Sequence, residues 1–291
     1  MRLVTYSYKD KTGLGIVFGE RIMALPKRFG TMLDLLEAGV SQAAAYAPAR
    51  RTLIPLQSAR LHAPIPNPRK VFCLAGNYAE HIREGKRTVG EKDMVTPRVF
   101  MKPVSNTVIG PYDPIRIPRT QQFVDWEGEL AVVIGKKCKY VPEAKAMSVV
   151  AGYTILHDVS ERRLKIRQRP ESAEWDRFFD WLNGKWCDTF APTGPWLVTK
   201  DEIKDPHNLK LETRVNGVVK QSGNTGQMIF TVPNIIEYLS HFLTLEPGDL
   251  IATGTPSGVG HARGENLKPG DVVEVEIEKI GCLRNKVVAE K

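Results

Sequence analysis

Residues Phe123 to Gly135 read FVDWEGELAVVIG, a run of apolar, aromatic and β-branched residues that suits a β-strand. Only Gly128 interrupts its strand character before Gly135. Side chains alternate along a strand, so Glu127 and Glu129 point to one face. Two carboxylates set into an apolar strand repel each other and lose hydration, so they need a proton or a cation between them. A hard divalent cation, Mg²⁺ or Mn²⁺, suits oxygen-only ligands. A third carboxylate, Asp158, follows a second β-rich run from Val149 to Leu156, within GYTILHDVSER, and is placed to face the same cavity. Three carboxylates fill half of an octahedron and leave room for water and a chelating substrate. An isolated E-x-E pair is more often the solvated face of an edge strand, so the rest of the chain has to separate the two readings.

At 291 residues the chain can bury a sizeable core, as one large domain or a large one with a small companion. Its 42% hydrophobic and 25% charged residues are those of a globular protein. No apolar run approaches the length of a membrane span. MRLVTYSYKDKTG lacks the apolar stretch of a secretory signal. Cys73, Cys138, Cys187 and Cys282 lie far apart, with no C-x-x-C pair, and read as buried free thiols. A cytoplasmic setting is expected. The net charge of +8 is spread along the chain apart from Arg162–Arg169, without the aromatic-interleaved basic stripe of a nucleic-acid binder. It reads as ordinary surface charge, with attraction of an anionic substrate to a positive cleft as the lesser alternative.

Residues 1–65 read as a separate unit and residues 66–291 as a larger one, joined by the proline-rich LHAPIPNPRK. LVTYSY, GLGIVFG and RIMAL read as three short strands. TMLDLLEAG reads as a helix capped by Thr31 and ended by Gly39. After the strand KVFCL, Asn77 is placed to cap a helix running Tyr78 to Glu84. His81 and Glu84 then meet on one face at i, i+3, a pair suited to general-base work and equally to a surface ion pair. The polar stretch Gly85–Pro97 beside it reads as a mobile lid. Lys102, at the end of a strand through Met101, either snorkels or reaches the site. Ser160–Trp181 reads as a charged, partly helical excursion split by Pro170, whose Trp175, Phe178, Phe179 and Trp181 suit a neighbouring subunit or a cover over the cavity. Lys185 sits among apolar and turn residues, either as a plain surface lysine or as a partner for a developing anion. Asn216-Gly217 marks a hairpin. Val232 to Phe242 reads as a helix capped by Thr231. In LEPGDLIATGTPSGVG a strand closes in a glycine-rich loop without the GK[ST] ending of a phosphate loop. Thr253, Gly254 and Thr255 there offer donors to an anionic oxygen.

Taken together, NYAEHIRE, FMKP, DWEGELAVVIG, HDVSER, GKWCDTFAPTGPW, VNG and PGDLIATGTPSGVG resemble the fumarylacetoacetate hydrolase family, in that family's order, from about Lys70 to Asn285. The resemblance implies an α+β, mostly β fold: a mixed β-roll catalytic domain behind a small N-terminal α/β domain, assembled as a homodimer. It implies Glu127, Glu129 and Asp158 as ligands for Mg²⁺ or Mn²⁺, and His81, Glu84 and Lys185 as catalytic residues. Arg162, Gly254 and Thr255 are implied as substrate contacts. Two departures stand out. Ala75-Gly76 replaces the larger or basic residue that often precedes NY, and the Ser160–Trp181 excursion is longer than in minimal members.

The expected reaction is metal-dependent hydrolysis of a C–C bond in a small anionic 2,4-dioxo acid, through an enolate. Decarboxylation or isomerisation of a 2-oxo dicarboxylic acid is the alternative from the same enolate. A keto-acid binding protein without turnover, and a structural β-domain without metal, are the non-enzymatic alternatives. No nucleic acid and no membrane are expected as partners.

Overall fold

The computed structural model describes residues 1–46, 53–86, 88–90, 92–120, 123–164, 166 and 173–290. Strands β1 (Arg2–Tyr8), β2 (Lys11–Phe18) and β3 (Arg21–Ala24) form an antiparallel meander. Helices α1 (Met32–Ala38) and α2 (Ser41–Ala44) follow, then the short strands β4 (Leu53–Pro55) and β5 (Arg60–Leu61). Thr31 and Asp34 close a capping box on α1, and the chain leaves it at Gly39 with φ of 94°, a backbone that favours glycine.

Next come β6 (Val71–Ala75), α3 (Ala79–Glu84), β7 (Arg98–Met101), α4 (Val104–Thr107), β8 (Val108–Ile109), β9 (Ile115–Ile117), β10 (Val124–Asp125) and β11 (Gly128–Ile134). They are followed by α5 (Glu143–Ala146), β12 (Val150–His157), β13 (Ser160–Glu161), α6 (Glu174–Asn183) and β14 (Ala191–Thr199). The chain ends with the hairpin β15 (Lys210–Val215) and β16 (Val218–Asn224), α7 (Val232–Phe242), β17 (Leu250–Ala252), α8 (Gly260–Arg263), β18 (Val272–Ile277) and β19 (Gly281–Ala289). Asn216 and Gly217 both take positive φ, 52° and 78°, as the tight hairpin turn requires. Helix α7 has the expected bounds, with a Thr231–Asn234 capping box. The architecture is a mixed, mostly β fold, as expected.

The main sheet runs β4-β3-β2-β1-β14-β12-β11-β17-β6-β7, and a second sheet runs β16-β15-β18-β19-β9. Strands β11 and β12 are buried along their whole length, so they read as continuous apolar runs rather than alternating ones. The sheets meet over a core of Leu130, Val132, Tyr153, Leu211, Val275 and Ile277. At Gly128 a β-carbon would lie 2.4 Å from Thr213 Oγ1 and 2.7 Å from Val275 Cγ1, so glycine lets the second sheet press against β11. Strand β1 pairs with β14, Leu3 opposite Leu197, and one core joins Leu3, Met32 and Leu36 to Val71, Val133 and Leu197. The segments on either side of residue 65 therefore share a sheet and a core. Among the described residues no helix is long and apolar enough to cross a membrane. The four cysteines are free thiols, of which Cys73 is buried and Cys282 exposed, so burial does not extend to all four.

Two local expectations are corrected. The run Phe123 to Gly135 is not one strand: β10 pairs with β13, β11 pairs with β12, and the chain changes partners across Trp126 and Glu127. Trp126 causes the step by burying its indole among Val124, Val159 and Phe190, with Nε1 donating to Gly258 O at 3.1 Å. Asn77 does not cap α3, whose first residue is Ala79. Its side chain is spent on distant partners: Nδ2 donates to Phe230 O at 3.0 Å and Thr253 O at 2.8 Å, and Oδ1 accepts from Phe230 N at 2.8 Å. The Pro170 break lies outside the described residues.

Asn77→Ala leaves three buried main-chain groups without partners. It should destabilise the fold by on the order of 3 kcal/mol, read from urea unfolding midpoints at constant slope. A loss below about 1 kcal/mol, the worth of one ordinary hydrogen bond, would show that Asn77 does not tie these segments together.

Candidate active site at the carboxylate cluster

The β11–β12 register builds the cluster. Gly128 faces His157 and Glu129 faces Leu156, and one step further Asp158 N donates to Glu127 O at 2.9 Å. Antiparallel pairing thus brings Asp158 alongside Glu127, with Glu129 two residues on. One ligand oxygen from each of Glu127, Glu129 and Asp158 lies within 4.8 Å of the others, and all three residues are buried.

Three cations surround them. Lys185 Nζ donates to Asp158 Oδ2 at 2.6 Å and to both Glu127 oxygens at 3.1 Å. Lys102 Nζ donates to Asp158 Oδ1 and, at 3.0 Å, to Val159 O. Arg162 donates from Nη2 to Glu127 and from Nε to Asp125 Oδ2 at 2.9 Å. Lys185 is delivered by the end of α6. Gly184 is needed there because a β-carbon would sit 2.1 Å from Glu161 O, where Glu161 N donates to Gly184 O at 2.9 Å. Phe100 and Trp181 lie 5.1 and 5.8 Å from the Lys185 ammonium, a cation–π collar.

The charges sort the carboxyls. Burial pushes Glu127 up, but Arg162, Lys185 and His81 outweigh it and hold it at about 2. Burial also raises Glu129, and Asp158 and Glu127 push it further the same way, leaving it well above the ordinary glutamate range. Burial lowers the Lys185 ammonium, and Asp158 and Glu127 more than restore it. Burial drives His157, next to Asp158, down to about 3, so it is neutral at pH 7. Glu129 Oε1 is buried without a hydrogen-bond partner among the described residues, while Oε2 accepts from Gly254 N at 2.7 Å. A buried carboxylate oxygen with nothing to hold, beside two further carboxylates, fits a hard divalent cation.

The dyad forms: His81 Nδ1 lies 2.7 Å from Glu84 Oε1, and Glu84 Oε2 accepts from Gly258 N at 2.7 Å. One loop touches both groups, with Gly254 N on Glu129 and Gly258 N on Glu84, so dyad and cluster meet at the segment after β17. Gly254 and Thr255 sit at its floor with their donors engaged by the protein, Gly254 N on Glu129 and Thr255 Oγ1 on Gly128 O at 2.9 Å. Gln221 Nε2 in turn donates to Thr255 Oγ1 at 2.8 Å. On α6, Trp175, Phe178 and Phe179 are exposed, whereas Trp181 packs edge-on against Phe100 at 5.2 Å.

Residues 70–288 match the family described as fumarylacetoacetate (FAA) hydrolase, C-terminal. The chain belongs to the fumarylacetoacetate hydrolase family. It is an enzyme of that family. It is 45% identical over 267 residues to the protein named oxaloacetate tautomerase Fahd2a, mitochondrial, of Rattus norvegicus, covering 91% of this chain and 81% of that protein. That name places the rat protein in mitochondria, where the sequence reading expected a cytoplasmic one. Among solved structures of the fumarylacetoacetate hydrolase fold, maleylpyruvate hydrolase from Sphingobium sp. SYK-6, in complex with manganese(II) and pyruvate, superposes with a TM-score of 0.81 at 30% identity, both chains covered fully. The 2-hydroxyhepta-2,4-diene-1,7-dioate isomerase from Mycobacterium marinum gives 0.77 at 36% identity, covering 100% of this chain and 99% of that one.

Three buried groups were not assigned to the site from sequence. Lys102, which from sequence either snorkels or reaches the site, reaches it. Asp125 continues the period of two set by Glu127 and Glu129, a signal present in DWEGE. Gln221 gave no signal of its own.

The raised Glu129 carboxyl gives the metal assignment a pH signature. Without metal, the folded state keeps a proton that the unfolded chain releases in the ordinary glutamate range. Stability of the metal-free protein should therefore fall as pH rises from that range through the raised Glu129 value. Bound Mn²⁺ displaces that proton, so the Mn²⁺-induced rise in Tm should grow with pH across the same window. At a hundredfold excess over Kd it corresponds to about 2.7 kcal/mol. Glu129→Gln should flatten the pH dependence and remove most of the Mn²⁺ effect in calorimetry. An unchanged Mn²⁺ effect in that variant would contradict the ligand role.

Proposed function

We propose that this enzyme interconverts keto and enol forms of a small anionic 2-oxo acid, with an oxaloacetate-like diacid as substrate and Mg²⁺ or Mn²⁺ held by Glu127, Glu129 and Asp158. The observation that carries the reading is a cation-ready carboxylate cluster and a His–Glu dyad in one site, in a chain 45% identical over 91% of its length to a named oxaloacetate tautomerase. The sequence alone had favoured hydrolysis. The higher identity to a tautomerase moves the preference towards proton transfer without water addition.

A divalent metal held by Glu127, Glu129 and Asp158 would supply Lewis acidity to the 2-oxo group. His81 Nδ1–H is committed to the Glu84 carboxylate, which fixes the tautomer and leaves Nε2 with a free lone pair to act as base. Nε2 takes a proton from C3 of the keto form, and the electron pair moves onto the 2-oxo oxygen. Lys185, whose ammonium rests on Asp158 and Glu127, faces the negative charge that develops there. The proton held on His81 Nε2 is then passed to that oxygen, which gives the enol and returns His81 to its starting state, and the reverse sequence returns the keto acid. Arg162, held by Asp125 and Glu127, adds positive charge for a substrate carboxylate.

Hydrolysis is the second reading, favoured by the full-length superposition on a maleylpyruvate hydrolase. The same His81 would then activate a water, and the C–C bond would break to leave an enolate. We also propose a homodimer.

Oxaloacetate equilibration followed by the ultraviolet absorbance of the enol decides between these readings, with acetylpyruvate as a parallel substrate followed by NMR. Acceleration of the first that depends on Mg²⁺ or Mn²⁺ is expected. His81→Ala should lower it by about 10²–10⁴-fold and Lys185→Met by about 10²–10³-fold. Cleavage of acetylpyruvate with no effect on oxaloacetate would replace tautomerase by hydrolase. An equal rate in His81→Ala would remove the dyad from the mechanism.

A further inference from the structure

The segment 254–261 follows β17 and offers its amides to three carboxylates. Gly254 N donates to the cation-site residue Glu129. Gly258 N donates to the dyad acid Glu84 at 2.7 Å. Gly260 N and His261 N donate to Asp125 Oδ1 and Oδ2 at 2.5 and 3.1 Å. Gly258 has φ of 102°, and a β-carbon there would lie 2.2 Å from Lys220 O. Glycine therefore lets the turn lie against Lys220 with a positive φ while its amide reaches Glu84. Asp125 is fully buried, and the same carboxylate oxygen that accepts from His261 N accepts from Arg162 Nε at 2.9 Å. Arg162 continues to Glu127.

We infer that Asp125 is a positioning residue: it fixes the Gly258–His261 turn on one side and Arg162 on the other, so that the His81–Glu84 dyad is seated against the carboxylate cluster. The dyad itself sits on a six-residue helix, α3 (Ala79–Glu84), with no buried residue of its own. A short helix with no buried face has little packing to hold it, so its register over the site depends on the Glu84–Gly258 bond. That bond is only as firm as the turn carrying Gly258, and Asp125 clamps that turn two and three residues later. Remove the carboxylate, and the turn, Arg162 and the dyad loosen together.

Asp125→Asn is nearly isosteric. Its amide nitrogen accepts no hydrogen bond, so Asn gives up either the contacts from Gly260 N and Trp126 N or those from His261 N and Arg162 Nε, and the clamp is loosened whichever way the amide turns. Two measurements test the inference on the full-length, Mn²⁺-loaded chain. The first needs no substrate. Amide hydrogen exchange followed by mass spectrometry should quicken in Asp125→Asn both at 258–261 and across α3, while β11 and β12 keep their protection. Faster exchange in the turn with α3 unchanged would overturn the inference. So would faster exchange everywhere, which is the mark of a general structural loss. If Asp125→Asn does not fold, Glu84→Gln probes the same tie from the other end. Weakening the Glu84–Gly258 bond should then quicken exchange of the Gly260 and His261 amides, and no change there would also overturn the inference.

The second measurement rests on the enolate reading above and uses whichever 2-oxo acid the enzyme turns over. Asp125→Asn should lower kcat by about 10–100-fold, the usual cost of removing a group that orients a functional residue. The double variant Asp125→Asn/His81→Ala should match His81→Ala alone to within about twofold. Losses that multiply would show that Asp125 acts apart from the dyad. Failure of every candidate substrate would count against the functional reading and leave the exchange result to decide this one.

Discussion

Glu127, Glu129 and Asp158 repel one another inside a sheet that excludes water, and much of the surrounding structure serves to hold them there. Two carboxylates a few ångströms apart in a low-dielectric interior would take up protons or drive the strands apart. Lys102, Lys185 and Arg162 oppose that tendency for Glu127 and Asp158. Glu129 receives an amide instead of a cation and keeps one oxygen unpaired. The uneven sharing matters, because it leaves one corner of the cluster, at Glu129 Oε1, without a partner among the described residues.

The frame that imposes this crowding is ordinary sheet geometry. Strands β11 and β12 are buried on both faces, and their register alone sets Asp158 against Glu127. Glycines stand where other parts must come close: Gly128 under the second sheet, Gly184 against β13, Gly254 beside Asn77. The two lysines show a division by surroundings. Lys102 is tied to a main-chain carbonyl as well as to Asp158, whereas Lys185 holds only carboxylates and faces an aromatic collar. The first is tied partly to the main chain, the second wholly to the acids of the cluster.

Much of this was legible in the residues. The period of two in Glu127 and Glu129, the hairpin at Asn216-Gly217 and the capped helix from Val232 are local signals, and local signals survive folding. What was not legible depends on partners far away in the chain. Asn77 looks like a helix cap, but its amide is claimed by Phe230 and Thr253. Trp126 looks like one more strand residue, yet its burial breaks the strand in two. Asp125 looks like the exposed third member of an alternating run. It is buried, with amides from Gly260 and His261, more than a hundred residues on, and the Arg162 guanidinium as partners. Gly254 and Thr255 read from sequence as donors for a ligand, and the fold engages both within the protein.

The collar of Lys102, Lys185 and Arg162 has a consequence for the charge balance of the fold. Centres made only of acidic ligands hold themselves open until an ion arrives, and small domains of that kind collapse when a chelator strips them. Here the ammonium and guanidinium groups act as internal counter-ions for two of the three acids. Two of the three acids are thus balanced within the polypeptide itself, so the fold has its own counter-charge at the cluster whether or not an ion is bound.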